Sequence, residues 1–257
     1  MRQYWGFIPI VCLATVLLAG GIKIGSGARP QSSRQTPTFT PFVLSEQETH
    51  FSRSNVAVKS VGYTIARRED GSLVRSFIIK DTDSPDGTEG RAVFIWDVPS
   101  RKNIMLELFT KSAMTQLRSP KEIADFLSSE KACSDAILSA NSDRSTEQLL
   151  DHAVVRVEEA SDILHTVSWV APDLDCFPLR QTVALLDSKH LGLHHDTIVT
   201  KIEIGEPPSS MFDVPQDYTE RSPLEIQTEY ARKSGGRQFW GTTADDAERQ
   251  YRQHQDH

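Results

Sequence analysis

Short segments in which apolar side chains recur at every second position are the feature that most limits how this 257-residue chain can fold. The segment 56–67 alternates in this way, and so does the segment 73–80. Asp70-Gly71 lies between them, and Asp-Gly favours a tight hairpin because glycine tolerates a positive φ. We therefore expect an antiparallel hairpin, with Val61, Tyr63 and Ile65 sharing one face of its first strand and Phe77 and Ile79 one face of its second.

The same pattern continues along the chain. Further strands are predicted at 91–98, 104–109, 153–158, 163–170, 177–186 and 198–205. No helix-length segment separates the strands of the first two hairpins, which excludes a parallel βαβ fold. Several of these strands are apolar on both faces, since Phe94 and Trp96 alternate with Val93 and Ile95. One face is therefore expected to meet helices, and the other a second apolar layer or an apolar cavity.

Two capping boxes mark the helices. Ser119-Pro120-Lys121-Glu122 and Ser222-Pro223-Leu224-Glu225 each place serine at the N-cap, proline at the first helical position and glutamate at the third. The first helix has an apolar face of Ile123, Phe126 and Leu127, and Gly235-Gly236 ends the second. The fold class predicted from these patterns is α+β, mainly antiparallel β, with a few helices packed on the sheet.

The N-terminal 30 residues indicate where the protein works. Residues 3–22 carry no charge and are mostly apolar, so residues 1–28 are predicted to be either a signal peptide or a membrane anchor that spans with residues 4–22. Ser26-Gly27-Ala28 favours cleavage, whereas the length of the span and Lys23 immediately after it favour an anchor. Both alternatives place the remainder outside the cytoplasm, in the periplasm or cell envelope.

Composition suggests three further regions. Residues 29–50 are rich in Ser, Thr, Gln and Pro, which predicts a disordered linker. A folded domain is expected over 51–236, and 237–257 reads as a polar C-terminal tail.

The cysteines suggest a structural disulfide. Cys12 belongs to the leader, which leaves Cys133 and Cys176 as a pair in an oxidising compartment. A redox-active pair is the alternative, but no C-x-x-C spacing supports it.

The net charge and the motifs in the sequence argue against several classes of function. The net charge of −7, with no dominant basic stretch, argues against nucleic-acid binding. No G-x-S-x-G or glycine-rich phosphate loop occurs, so we expect no catalytic residue and no cofactor. His190, His194 and His195 are weak candidates for a metal, because a hairpin turn around Gly192 does not ensure that imidazoles converge, and no metal site is predicted.

Two segments carry a resemblance to a known family. They are W-V-A-P-D-L-D-C-F-P-L-R at 169–180 and I-E-I-G-E-P-P-S-S-M-F-D-V-P-Q-D-Y at 202–218. With the Asp-Gly hairpin they resemble a group of exported bacterial proteins that is similar in layout to the outer-membrane lipoprotein-sorting (LolA-like) superfamily. From the residues alone, Met211-Phe212, set between Pro208 and Pro215, predicts an apolar plug under one end of the sheet.

The resemblance implies a strongly curved antiparallel sheet, an incomplete barrel whose concave side holds helices and an apolar cavity. It also implies that Cys176 pairs with the upstream cysteine. The function expected on this basis is a non-enzymatic, extracytoplasmic carrier-like module that binds a lipid or lipidated protein. An envelope interaction or sensor domain with a packed interior is the alternative, and a metalloprotein using the histidine-rich turn is the third hypothesis.

Overall fold

The computed structural model describes residues 38–79, 90–130, 147–186 and 193–236. These residues form 12 β-strands, two α-helices and two short 3-10 helices. The strands are β1 Phe42–Phe51, β2 Ala57–Arg67, β3 Leu73–Ile79, β4 Gly90–Asp97, β5 Lys102–Glu107, β6 Ser112–Leu117, β7 Glu147–Leu149, β8 His152–Ala160, β9 Leu164–Ala171, β10 Phe177–Leu185, β11 His194–Ile204 and β12 Thr219–Glu220. The α-helices are α1 Pro120–Glu130 and α2 Pro223–Ser234, and the 3-10 helices are Pro172–Leu174 and Ser209–Phe212.

All 12 strands belong to one sheet, in which β12 and β7 are the outermost of the described strands. Their order is β12-β6-β5-β4-β3-β2-β1-β11-β10-β9-β8-β7. Neighbours run antiparallel, apart from a two-residue parallel pairing of β12 with β6. The prediction of a mainly antiparallel sheet with a few helices is confirmed.

The β2–β3 hairpin forms at the predicted Asp-Gly turn. Gly71 has φ +85°, a conformation that glycine adopts at little cost. The amide of Arg68 donates to the carbonyl of Ser72 at 2.9 Å, and the Asp70 carboxylate accepts from the Ser72 amide at 2.7 Å. The β4–β5 hairpin is present as well.

Both predicted capping boxes are formed. At α1 the Ser119 amide donates to the Glu122 carboxylate at 2.7 Å, and the Glu122 amide donates to the Ser119 hydroxyl at 3.2 Å. Ser222 and Glu225 make the same reciprocal bonds at α2, which ends at Gly235 in the left-handed conformation. Ile123 and Leu127 of α1 are buried against Phe39, as its apolar face predicted.

The predicted linker at 29–50 is wrong from residue 42 onward. Phe42–Phe51 is β1, which lies in the middle of the sheet between β2 and β11. Phe42 and Leu44 alternate as a strand should, but the next two inward positions are glutamates. The polar composition of this segment predicted a linker, but its buried carboxylates are bonded to residues on neighbouring parts of the sheet, Arg75 on β3 and Tyr63 on β2. The strand β6 was also missed, and His194 and His195 begin β11 instead of lying in a turn.

Several predictions fall outside the described residues. These are the leader at 1–28, the upstream part of the linker, Cys133, His190 and the tail at 237–257. Cys176 is 5% exposed, packs with Val155 and Val170, and is disulfide-bonded. Its pairing with Cys133 stays a prediction. Within the described part of the chain no helix has the length and apolar character needed to cross a membrane.

The two faces of the central strands carry different side chains. One face, which we name the charged face, bears a large apolar cluster together with buried ionisable groups. On β1–β3 it includes Phe42, Leu44, Glu46, Glu48, His50, Val61, Tyr63, Ile65, Arg67, Leu73, Arg75 and Phe77. The opposite one, the aliphatic face, carries Ala66, Val74, Ile95, Ile104, Leu106 and Ala113. Met211, Phe212 and Tyr218 pack on the aliphatic face, which confirms the predicted apolar plug.

Candidate functional site

The charged face contains a fully buried arginine at the end of β2. The Arg67 guanidinium donates to the carbonyls of Thr40 and Leu174 at 3.0 and 3.1 Å and to the Asp175 carboxylate at 2.8 Å. It also lies 4.5 Å from the centre of the Phe42 ring, a cation–π contact. Burial lowers the pKa of Arg67, and the charge of Asp175 opposes that shift. Arg67 thus joins β2, β1 and the 3-10 helix after β9.

A second ion pair, between half-exposed Arg75 and buried Glu46, joins β3 to β1. Glu46 is 6% exposed, and its carboxylate accepts from Arg75 at 3.0 Å. Arg75 also lies over the Tyr63 ring, 4.3 Å from its centre. Burial raises the pKa of Glu46 because the ionised form loses water, and Arg75 offsets only part of this.

Glu48 organises a cluster on β1, β2 and β11. The Tyr63 hydroxyl donates to Glu48 Oε2 at 3.0 Å, while Glu48 Oε1 lies 2.5 Å from His50 Nε2. His195 lies directly opposite His50 in the β1–β11 register, with ring centres 5.4 Å apart. One ligand atom from each of Glu48, His50 and His195 falls within 4.8 Å of the others.

Burial and neighbouring groups act in opposite directions on the pKa values of Glu48 and His195. Burial by itself disfavours ionised Glu48, but the contact with His50, the charges of His195 and His50 and the Tyr63 hydroxyl together lower the pKa of Glu48 to about 2. Burial lowers the pKa of His195 despite the attraction of Glu48. Burial and the adjacent Glu48 charge raise the pKa of Tyr63. The cluster therefore favours the ionised form of the Glu48 carboxylate.

The helix α1 brings a further carboxyl group toward these cations. Burial raises the pKa of Glu130, its last residue, while the charges of Arg67 and Arg75 act in the opposite direction. Two arginines and four carboxyl groups, those of Glu46, Glu48, Glu130 and Asp175, are thus placed on or beside one apolar face. Such groups are costly to bury unless paired, so this arrangement is the strongest departure in the described chain from an ordinary core.

Sequence reasoning located only one member of this cluster. His195 was singled out, but as part of a turn, and the structure brings it to two residues from the supposed linker, Glu48 and His50. His194 instead stacks on Phe51, with ring centres 4.6 Å apart. The missed signal was the alternation from Phe42 through His50, where every second side chain lies on one face.

Neither family models nor curated proteins match this chain. Among solved structures it is similar to an uncharacterized conserved protein from Thermus thermophilus, at 12% identity and TM-score 0.42, covering 71% of this chain and 91% of that one. It is also similar to PNGF-II, at 8% identity and TM-score 0.39, covering 76% of this chain and 34% of that one. A LolA superfamily protein from Nitrosomonas europaea shows 7% identity and TM-score 0.32, covering 68% of this chain and 90% of that one. The expected resemblance to LolA superfamily proteins is thus found, and likenesses this distant carry no argument about function.

Proposed function

We propose that this protein is a non-enzymatic, extracytoplasmic binding module that holds a lipid, or the acyl chain of a lipidated protein, on the charged face of its sheet. The observation that carries the proposal is the apolar cluster on that face, which is continuous over eight strands from β4 to β8 in the sheet order. Its buried members are Phe42, Leu44, Val61, Tyr63, Ile65, Phe77, Ala92, Val154, Ala171, Leu174, Leu179 and Val199. Half-buried Phe94, Trp169 and Phe177 pack at its margin.

The described helices are too small to cover this surface. Twelve strands about 4.8 Å apart span about 53 Å across the sheet. The two α-helices, 11 and 12 residues long, are each about 10 Å wide. Because α1 packs near Trp96 and α2 packs on Met105, both lie toward the β4–β6 side of the cluster. The half-buried side chains at the margin of the cluster, Phe94, Trp169 and Phe177, retain exposed apolar area from which a guest molecule could exclude water.

One contact supports the proposal that the sheet bends into an incomplete barrel. In the strand order, β2 and β9 are separated by four spacings, about 19 Å on a flat sheet. The Arg67 side chain on β2 nevertheless reaches Leu174 and Asp175, which closely follow β9. A sheet curved toward the charged face brings these groups together, and a concave apolar surface suits an acyl chain.

The ionisable groups suggest how an amphiphile could be oriented. Glu46, Arg75 and Tyr63 lie beside the apolar cluster on the same face. An acyl chain against half-buried Phe94, which pairs with Arg75 across β3 and β4, would leave a polar headgroup near these side chains. The predicted leader at 1–28 is what supports an extracytoplasmic location.

The test is uptake of a fluorescent fatty-acyl probe by delipidated protein, combined with native mass spectrometry before delipidation. Phe94→Ala, on the charged face, is expected to weaken probe binding by about tenfold, since it removes about 1–2 kcal/mol of apolar contact. The matched control is Phe212→Ala on the aliphatic face, which should bind the probe as the unchanged protein does.

Absence of probe uptake and of any co-purifying lipid would contradict the proposal. A folded, probe-inert protein would instead support the alternative of an envelope interaction domain with a packed interior. Equal loss in both phenylalanine variants would show that the charged face is not the binding surface.

A further inference from the structure

We propose that His50, His195 and Glu48 bind one divalent transition-metal ion, such as Zn²⁺, on the charged face. The residues lie on two adjacent strands of the sheet interior, β1 and β11. This site is independent of the acyl-binding function proposed above, since neither needs the other to be correct.

Strand register explains why the three side chains converge. His50 and His195 are directly paired across β1 and β11, and paired residues have Cβ atoms about 5 Å apart on the same side of a sheet. Glu48 precedes His50 by two positions, so it lies on that side as well. The backbone of two long strands therefore fixes all three ligands, which is the rigid support that a metal site requires.

The donor atoms suit a transition metal. Two imidazole nitrogens and one carboxylate oxygen are a common set for Zn²⁺, and three protein ligands leave a fourth position for water or another group. Donors in a tetrahedral site are about 3.3 Å apart, with bonds of about 2.0–2.1 Å. The present donors lie within 4.8 Å of one another, so side-chain rotations that move them by about one ångström or less would complete the geometry.

Tyr63 holds the carboxylate in an orientation suited to this role. Its hydroxyl donates to Glu48 Oε2 at 3.0 Å, which leaves Oε1 directed toward His50. A hydrogen bond to the outer oxygen of a ligand is a usual way to fix a metal-binding carboxylate. We therefore assign Tyr63 as a positioning residue.

The contacts of Glu48 and His50 also favour a cation. Glu46 is paired with Arg75, but no Lys or Arg in the described part of the chain forms an ion pair with Glu48. His50 Nε2 is buried and lies 2.5 Å from Glu48 Oε1, yet in that same part of the chain it has no hydrogen bond of acceptable geometry. Once side-chain rotation separates the two atoms to about 3.3 Å, a metal ion bound to both would give His50 Nε2 the partner that it lacks.

The experiment is a Zn²⁺ titration of the full chain in competition with a chromophoric chelator, using protein purified without a polyhistidine tag and stripped with EDTA. We expect about one ion per chain. His195→Gln and His50→Gln are each expected to weaken Zn²⁺ binding by about tenfold or more, and Tyr63→Phe by about tenfold. The matched control is His194→Gln, a neighbour on the same strand that stacks on Phe51, which should leave affinity unchanged.

A second readout separates loss of a ligand from loss of the fold. Zn²⁺ should raise the thermal unfolding midpoint of the stripped protein, and His195→Gln should retain a cooperative transition that Zn²⁺ no longer shifts. Absence of Zn²⁺ binding overturns the proposal. Binding of equal strength in His195→Gln also overturns it, because the ion would then be held by other histidines.

Discussion

The aliphatic face and the charged face are two sides of the same central strands, and they are completed in different ways. On the aliphatic face Ala66, Val74 and Ile95 are covered by the chain's own Met211 and Phe212. This surface needs only apolar area removed from water, and a short segment with a 3-10 helix supplies it.

The charged face combines aromatic side chains with ion pairs that are expensive to bury. Arg67, Glu46 and Glu48 are each 9% exposed or less. A core built only for stability would place apolar residues at such positions, since replacing buried ion pairs by apolar residues is often neutral or stabilising. This difference is why we propose that one face serves the fold and the other serves binding. The following predictions test that division, beginning with the largest expected effect.

Arg67→Ala is expected to lower the free energy of unfolding by about 3–5 kcal/mol, measured by equilibrium urea unfolding. The change leaves Asp175 without its cation and the carbonyls of Thr40 and Leu174 without their donor. Arg156→Ala is the control, because that exposed arginine pairs with exposed Glu158 and should contribute at most about 1 kcal/mol. If the two substitutions lowered the free energy of unfolding equally, buried Arg67 would contribute no more than an exposed ion pair, which contradicts this prediction.

Phe212→Ala is expected to cost about 2–3 kcal/mol on the same measurement. The half-buried ring packs on the aliphatic cluster and its centre lies 3.8 Å from the Arg68 guanidinium carbon. Binding of the acyl probe and of Zn²⁺ should be unchanged. Loss of either would mean that the two faces are not independent.

Gly71→Ala is expected to cost about 1–2 kcal/mol, because φ +85° disfavours any Cβ. The added atom would lie 2.5 Å from Leu127 Cδ2 and 2.8 Å from Phe39 Cε2, where α1 packs beside the charged face. Gly62→Ala is the matched control: its Cβ would meet nothing within 4 Å, and it should be neutral or slightly stabilising. Thermal unfolding of both variants measures the difference, and equal midpoints would contradict the assigned strain.

Local signals in the sequence were sufficient for most of the fold. The Asp70-Gly71 turn, the two capping boxes and the alternation in β2 each depend on residues close together in the chain, and each was found where predicted. The Met211-Phe212 plug was also predicted, because flanking prolines mark a strand end.

The candidate site could not be predicted in the same way. Glu48 and His50 were assigned to a linker because their segment is polar, and His195 was assigned to a turn. Their burial depends on β1 lying between β2 and β11. The β1–β11 pairing joins residues about 150 positions apart, and no local pattern specifies such a register.

By itself the sequence determined the antiparallel class, the hairpin turns and the helix starts, because backbone geometry at those points follows from neighbouring residue types. Only the tertiary structure decided which polar residues are buried together. A charged side chain is stable in the interior only when it is paired. Arg67, Glu46 and Glu48 find their partners on Asp175, Arg75 and Tyr63, which the order of strands in the sheet brings near.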